Sequence, residues 1–171
     1  MPGRGVDVNS LYYFSYGSNM STRRLTARVP SAKKICNAYL PGHLLRFHKR
    51  GRDDSAKCDA HFTDNDNDQV KGVLFEILAA EKPLMDAIEG LDYESKKVSV
   101  LTDDEKTMVA FTYVAVYIDK SLKPYHWYKQ HILVGAHEHQ LPDDYISSIE
   151  TIESIEDKDA ARIERELGIY R

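Results

Sequence analysis

The sequence predicts an α+β fold in which a mostly antiparallel sheet, able to close into a barrel, is packed with helices. Two features carry that expectation. Strand-like alternation dominates the first two thirds of the chain and helical spacing the last third, with one helix between. Eleven tyrosines in 171 residues suit β-rich walls, or a pocket that needs hydroxyls on rigid apolar bodies. The length fits one domain with a buried core, and the 42% apolar and 29% charged content is ordinary for a globular chain.

The elements follow in order. Residues 1–10 read as a flexible leader and lack the apolar core of a signal peptide. Residues 11–16, with four aromatics, form a strand that runs into Gly17, Ser18 and Asn19. Such a handover leaves backbone N–H groups pointing one way, a site for a carboxylate or an oxyanion. The plainer alternative is a turn whose Ser or Asn caps a helix. Ser21 is the N-cap of a short helix with Leu25 inward and Pro30 at its close.

Residues 31–40 form a second strand, turned by Pro41-Gly42. Residues 43–49 alternate too imperfectly to assign. Residues 49–57 read as a charged loop. Its basic cluster, Arg46, Lys49, Arg50 and Arg52, could meet an anion, but Asp53 and Asp54 interrupt it, and a solvated loop is the expectation. A short strand at 60–63 leads to turn residues at 64–68, which lack the glycine and distal glutamate of a calcium loop.

Residues 70–78 are predicted to be a central strand, with Val70, Gly72 and Leu74 on one face and Val73, Phe75 and Ile77 on the other. Helical spacing covers 79–90. Pro83 falls in the first turn, Gly90 beyond the last, and Leu84, Ile88 and Leu91 form the inward stripe. Val98 and Val100 open a strand that returns over 108–118 after Asp103-Asp104. Helices are expected at 124–139, from Pro142, and over 157–167. One domain thus spans 11–156, and 157–171 is a C-terminal helix or tail.

The net charge of −4 and the pI near 6.0 supply no basic field for nucleic acid or an anionic membrane. No run approaches the ~18 apolar residues of a membrane span. Cys36 and Cys58 stand outside any C-x-x-C spacing, which predicts two free thiols in a reducing, cytoplasmic setting.

Glu89 is the candidate acid and base. It ends a short helix between Ile88 and Gly90, where the negative end of the helix dipole and apolar neighbours both raise a carboxyl pKa. A proton carrier near neutrality needs that shift; the alternative is a surface glutamate at a frayed helix end. Glu81 and Asp86 fall on the polar side of the same helix and should be solvated. His137-Glu138-His139 does not put two imidazoles on one helical face, so no metal site is expected. Ser18 lacks the G-x-S-x-G setting of a nucleophile.

Several landmarks taken together resemble the γ-glutamylcyclotransferase family, the AIG2-like superfamily. Tyr13-Phe14-Ser15-Tyr16-Gly17-Ser18-Asn19 is similar to its glycine loop, and Val70-Lys71-Gly72-Val73 to its V-x-G-V strand. Asp86-Ala87-Ile88-Glu89-Gly90 resembles the segment that carries the family's glutamate. Tyr128-Lys129, Gly135-Ala136 and Leu141-Pro142 resemble its later helix and turn.

The resemblance implies a small mixed barrel wrapped by helices, and an intramolecular acyl transfer. The α-amine of a γ-glutamyl amino acid or dipeptide attacks its own γ-carbonyl, giving 5-oxoproline and a free amine, with no metal or cofactor. Glu89 would carry the protons. The loop Tyr13, Phe14, Ser15, Tyr16, Gly17, Ser18 and Asn19 would bind substrate, with Tyr128 and Tyr93 beside it. The expected partner is a small γ-glutamyl substrate, not nucleic acid or membrane, and a homodimer is left open. Only three residues separate Glu89 from Tyr93, a shortening that should alter the pocket rim and with it substrate choice. Three rivals remain: a γ-glutamylamine or γ-glutamyl-protected intermediate as substrate, a hydrolase, and a silent ligand- or partner-binding module.

Overall fold

The computed structural model describes residues 9–171; most of the leader expected over 1–10 lies outside the described residues. Strand β1 (Ser10–Ser15) leads through a 3-10 turn (Ser18–Met20) into helix α1 (Thr22–Arg28). Strands β2 (Lys33–Pro41), β3 (His43–Arg50), β4 (Ala56–Phe62) and β5 (Gln69–Leu78) follow. Helix α2 (Lys82–Glu89), strands β6 (Tyr93–Thr102) and β7 (Thr107–Ala115), and helices α3 (His126–Glu138), α4 (Asp143–Glu150) and α5 (Ala160–Leu167) complete the chain.

Five strands close a barrel in the order β1-β5-β2-β6-β7, and β3 and β4 form a separate two-stranded ribbon. The barrel is antiparallel except where β7 meets β1 in parallel, at Tyr13 and Phe111. Strand β5 pairs on both sides, as its apolar faces predict, and Val70, Val73, Leu74, Phe75 and Ile77 are buried along it. Gly72 sits at the tightest crossing. A Cβ there would lie 2.2 Å from the Ser15 carbonyl oxygen, so no other residue fits.

Helix α3 approaches the 3-10 turn after β1 almost as closely. A Cβ on Gly135 would come within 2.6 Å of Met20 Cβ, and that contact fixes the turn against the helix. Ser21 caps α1 as expected, its hydroxyl accepting from Arg24 N–H. Gly90 ends α2 at φ +72°, its N–H bonded to the Asp86 carbonyl at 3.0 Å.

Three expectations are corrected. Strand β4 begins at Ala56 rather than at 60, and residues 43–49, unassigned from sequence, are part of β3, so the charged loop shrinks to the turn between β3 and β4. Strand β6 begins at Tyr93, five residues before Val98, because its polar residues pair with β7 through the backbone while their side chains stay exposed. On α2, Leu84 and Ile88 are exposed and the inward residue is Met85; Leu91 lies in the turn beyond the helix and is 90% exposed. Met85 and Glu89 are four residues apart, so the face that buries the methionine also turns the glutamate toward the barrel.

The ribbon is fastened to the barrel by Ala115 N–H donating to Asp59 Oδ1 at 2.8 Å and by Arg50 N–H donating to the Tyr117 carbonyl. Asp59 Oδ2 meets His48 Nε2 at 2.6 Å, with the His61 ring beside His48. These three residues bring ligand-type atoms within 4.8 Å of one another. Both Asp59 oxygens are committed to internal bonds, so the group anchors the ribbon.

The terminal segment docks on the helices. Asp157 accepts from Trp127 Nε1 at 2.8 Å and from Arg162, and Glu166 meets Arg24 and His131 at 2.9 and 3.0 Å. Among the described residues no helix is long and apolar enough to cross a membrane.

Candidate active site

The end of β1, the 3-10 turn, the end of α2, β4 and α3 surround one small cleft of about 320 Å³ empty space. Tyr13 and Tyr16 come from β1 and its extension, and Gly17, Ser18 and Asn19 from the turn. Glu89 closes one side; Tyr93, Tyr113 and Tyr128 supply further walls.

At Gly17 the backbone lies at φ −117°, so the glycine is not there for a left-handed turn. It is there for space: a Cβ would lie 3.3 Å from Cys58 Cβ and 3.9 Å from the Tyr128 hydroxyl. Met20 N–H bonds to the Gly17 carbonyl at 3.0 Å and closes the turn. The first N–H groups of such a turn, at Ser18 and Asn19, have no partner within it.

Asn19 joins the two halves of the site. Its Nδ2 donates to Tyr13 OH at 3.3 Å and to Glu89 Oε1 at 3.3 Å, across seventy positions of sequence. Asn19 is buried, and its Oδ1 has no hydrogen-bond partner, so an acceptor at the cleft is left unmet. Glu89 is partly buried, and desolvation pushes its carboxyl above the ordinary glutamate range. Arg28, Lys49 and Arg24, with the Asn19 bond, pull the other way and moderate the rise.

The aromatic walls are tied down individually. Cys58 on β4 gives both faces of its peptide to tyrosines: its N–H donates to Tyr128 OH at 2.9 Å, and its carbonyl accepts from Tyr93 OH at 2.6 Å. Tyr16 OH donates to the Tyr113 carbonyl, and Tyr113 OH to Asp86 at 2.6 Å. Tyr13 stacks on Phe111, ring centroids 5.2 Å apart. Burial raises the pKa of Tyr13, Tyr93 and Tyr128, so these hydroxyls stay protonated.

Of the residues singled out from sequence, Glu89, Tyr13, Tyr16, Gly17, Ser18, Asn19, Tyr93 and Tyr128 meet at the cleft. Phe14 and Ser15 do not line it. Phe14 is fully buried against Tyr16 and the Gly72 backbone, and Ser15 is fully buried where β1 pairs with β5. Asp86, expected to be solvated, accepts the Tyr113 bond while remaining exposed. Cys58 is free and buried, as its spacing predicts, but its place in the wall was missed. Burial pushes that thiol up to about 12, so it is no nucleophile. Tyr113 was also missed; its alternation with Phe111 on one face of β7, both rings packed on Tyr13, was the available signal.

The AIG2-like family pattern matches residues 69–149. The human protein named gamma-glutamylcyclotransferase is 31% identical over 155 residues, covering 87% of this chain and 82% of the relative. The bovine protein of the same name is 30% identical over 156 residues, covering 88% and 82%. A solved structure named gamma-glutamyl cyclotransferase superposes with a TM-score of 0.81 at 26% identity, over 91% of this chain and 96% of that one. With this barrel and this share of identical residues, the chain belongs to the γ-glutamylcyclotransferase family.

Proposed function

We propose that this protein is a γ-glutamyl cyclotransferase that converts a γ-glutamyl amino acid or dipeptide to 5-oxoproline and the released amine. The observation that carries the proposal is the Asn19–Glu89 contact. It holds a carboxylate of raised pKa against the Gly17–Asn19 turn, at one cleft walled by tyrosines.

The chemistry needs nothing beyond these groups. Glu89 takes a proton from the substrate's α-ammonium. The freed amine adds to the γ-carbonyl carbon, forming the ring C–N bond and placing negative charge on oxygen. The bond to the leaving nitrogen then breaks as Glu89 returns that proton to it. The second proton that the ring nitrogen must shed passes through the same carboxylate to the departing amine, which leaves as an ammonium; the carboxylate ends as it began. General acid–base catalysis of this kind contributes about 10²–10⁴-fold.

Folding the glutamyl chain back on itself contributes through positioning, which can be worth about 7–11 kcal/mol in well-oriented cases. The unmet Asn19 Oδ1 suits an ammonium donor. The Ser18 and Asn19 N–H groups suit the substrate carboxylate or the oxyanion.

Product identification tests the proposal. Incubation with γ-glutamyl-alanine in the presence of a chelator is expected to release 5-oxoproline and alanine in equal amounts. Free glutamate in place of 5-oxoproline would mean that water attacks the carbonyl. No product from any γ-glutamyl compound would leave only a binding role.

A further inference from the structure

A second recess adjoins the cleft and shares Ser18, Glu89, Tyr93 and Tyr128 with it. It holds about 740 Å³ of empty space, more than twice that of the cleft. Its further walls carry five cations, Arg24, Arg28, Lys49, Arg52 and Lys57, and Glu89 is its one acidic side chain. That concentration is out of keeping with a chain of net charge −4.

Internal partners account for part of it. Arg24 pairs with Glu166 at 2.9 Å, Lys57 with Asp53 at 3.0 Å, and Lys49 with Asp92 at a looser 3.8 Å while lying over the Tyr93 ring. Arg28 and Arg52 have no hydrogen-bonded or ion-pairing carboxylate among the described residues. Arg28 is partly buried, and burial, with the like charge of Arg24, lowers its affinity for a proton while Glu89 opposes that effect. Two guanidiniums thus stand unmatched beside the group that would protonate the departing amine.

With the glutamyl group in the small cleft, as the cyclotransferase reading requires, whatever is attached to the leaving nitrogen would extend past Glu89, Tyr93 and Tyr128 into the recess. We propose that the recess is a leaving-group subsite for anionic amines, selecting γ-glutamyl compounds whose released amino acid is acidic. This rests on the cyclotransferase reading. The α-carboxylate and side-chain carboxylate of such a leaving group supply the two anions that Arg28 and Arg52 lack, and planar guanidinium forks bind carboxylates bidentately. A γ-glutamylamine without a carboxylate forgoes both contacts, and a basic leaving group meets five cations.

Initial rates with γ-glutamyl-aspartate, γ-glutamyl-alanine, γ-glutamyl-ethylamide and γ-glutamyl-lysine test the proposal. In 20 mM salt, kcat/KM should fall in the order aspartate, alanine, ethylamide, by about tenfold for each carboxylate lost, with lysine below alanine. Raising the salt to 0.5 M should compress the series. Arg52 is exposed, so Arg52→Gln keeps the fold, and it should narrow the aspartate-to-alanine ratio at least threefold, mainly through KM.

Equal kcat/KM across the four compounds, with 5-oxoproline formed from each, overturns the subsite and leaves the cyclotransferase reading standing. So does an aspartate preference that neither salt nor Arg52→Gln changes. Absence of 5-oxoproline from all four overturns the cyclotransferase reading, and the subsite with it.

Discussion

Glu89 is held between opposed influences. Burial favours its neutral form, while Arg28, Lys49, Arg24 and the Asn19 amide favour the carboxylate. Because folding raises this pKa above the ordinary value of 4.5, the folded state binds the extra proton more tightly. That stabilising contribution is complete below 4.5 and is lost as pH rises through the raised pKa. Glu89→Gln stays neutral and can still accept from Asn19. Its denaturant midpoint should therefore equal or exceed that of the wild type, with a gap that widens from pH 4 to pH 8. Asn19→Ala removes a donor that steadies the ionised form. The acidic limb of its kcat/KM–pH profile should move to higher pH; an unmoved limb would show that the amide does not tune Glu89. Tyr128→Phe strips the acceptor from the buried Cys58 N–H and should cost about 1–3 kcal/mol in urea unfolding. At this scale the sequence was informative about residue types. Glu89 was visible as a carboxyl at a helix end, whereas Asn19's bond to Glu89 and the Cys58 N–H bond to Tyr128 each span 70 positions, which no local pattern encodes.

Elements buried on both faces, or marked at their ends by proline and glycine, were the readable ones. Strand β5 announced itself through apolar groups at successive positions, and α2 through Pro83 and Gly90. Strand β3 and the first half of β6 did not, because ladder hydrogen bonds rather than side-chain burial make them strands. The inward face of α2 was misjudged for a related reason: the helix buries the less obvious Met85 and leaves Leu84 and Ile88 exposed, with Leu91 in the turn beyond its end. Gly72 gives the sharpest prediction at this scale. Gly72→Ala forces a methyl onto the Ser15 carbonyl at the β1–β5 seam, an overpacking that costs about 1–3 kcal/mol or more. A thermal midpoint unchanged from the wild type would mean that β1 and β5 are not in this register.

At the scale of the whole molecule, barrel, ribbon and terminal helix each hold part of the cleft or brace it. The ribbon brings Cys58 to two tyrosines, and the terminal segment steadies α3 through Asp157, ahead of α5, and Glu166 on it. Arg162 and Trp127 keep the Asp157 carboxyl below the usual carboxylate range. Its stabilising contribution is therefore present above the ordinary value of 3.8 and lost as pH falls through the depressed pKa. Asp157→Asn should unfold at lower urea than the wild type at pH 7, and the difference should shrink below pH 3.8. Barrel and helical layers were legible as a succession of strands followed by helices; the closure that joins β7 to β1 in parallel was not, since it rests on one register pair. That closure helps bring two segments seventy residues apart to one cleft, and the rate of 5-oxoproline release from γ-glutamyl-alanine by folded Glu89→Gln tests its meaning most directly. Turnover should fall by about 10²–10⁴-fold relative to the wild type, and a variant that turns over at the wild-type rate would contradict the role given to Glu89.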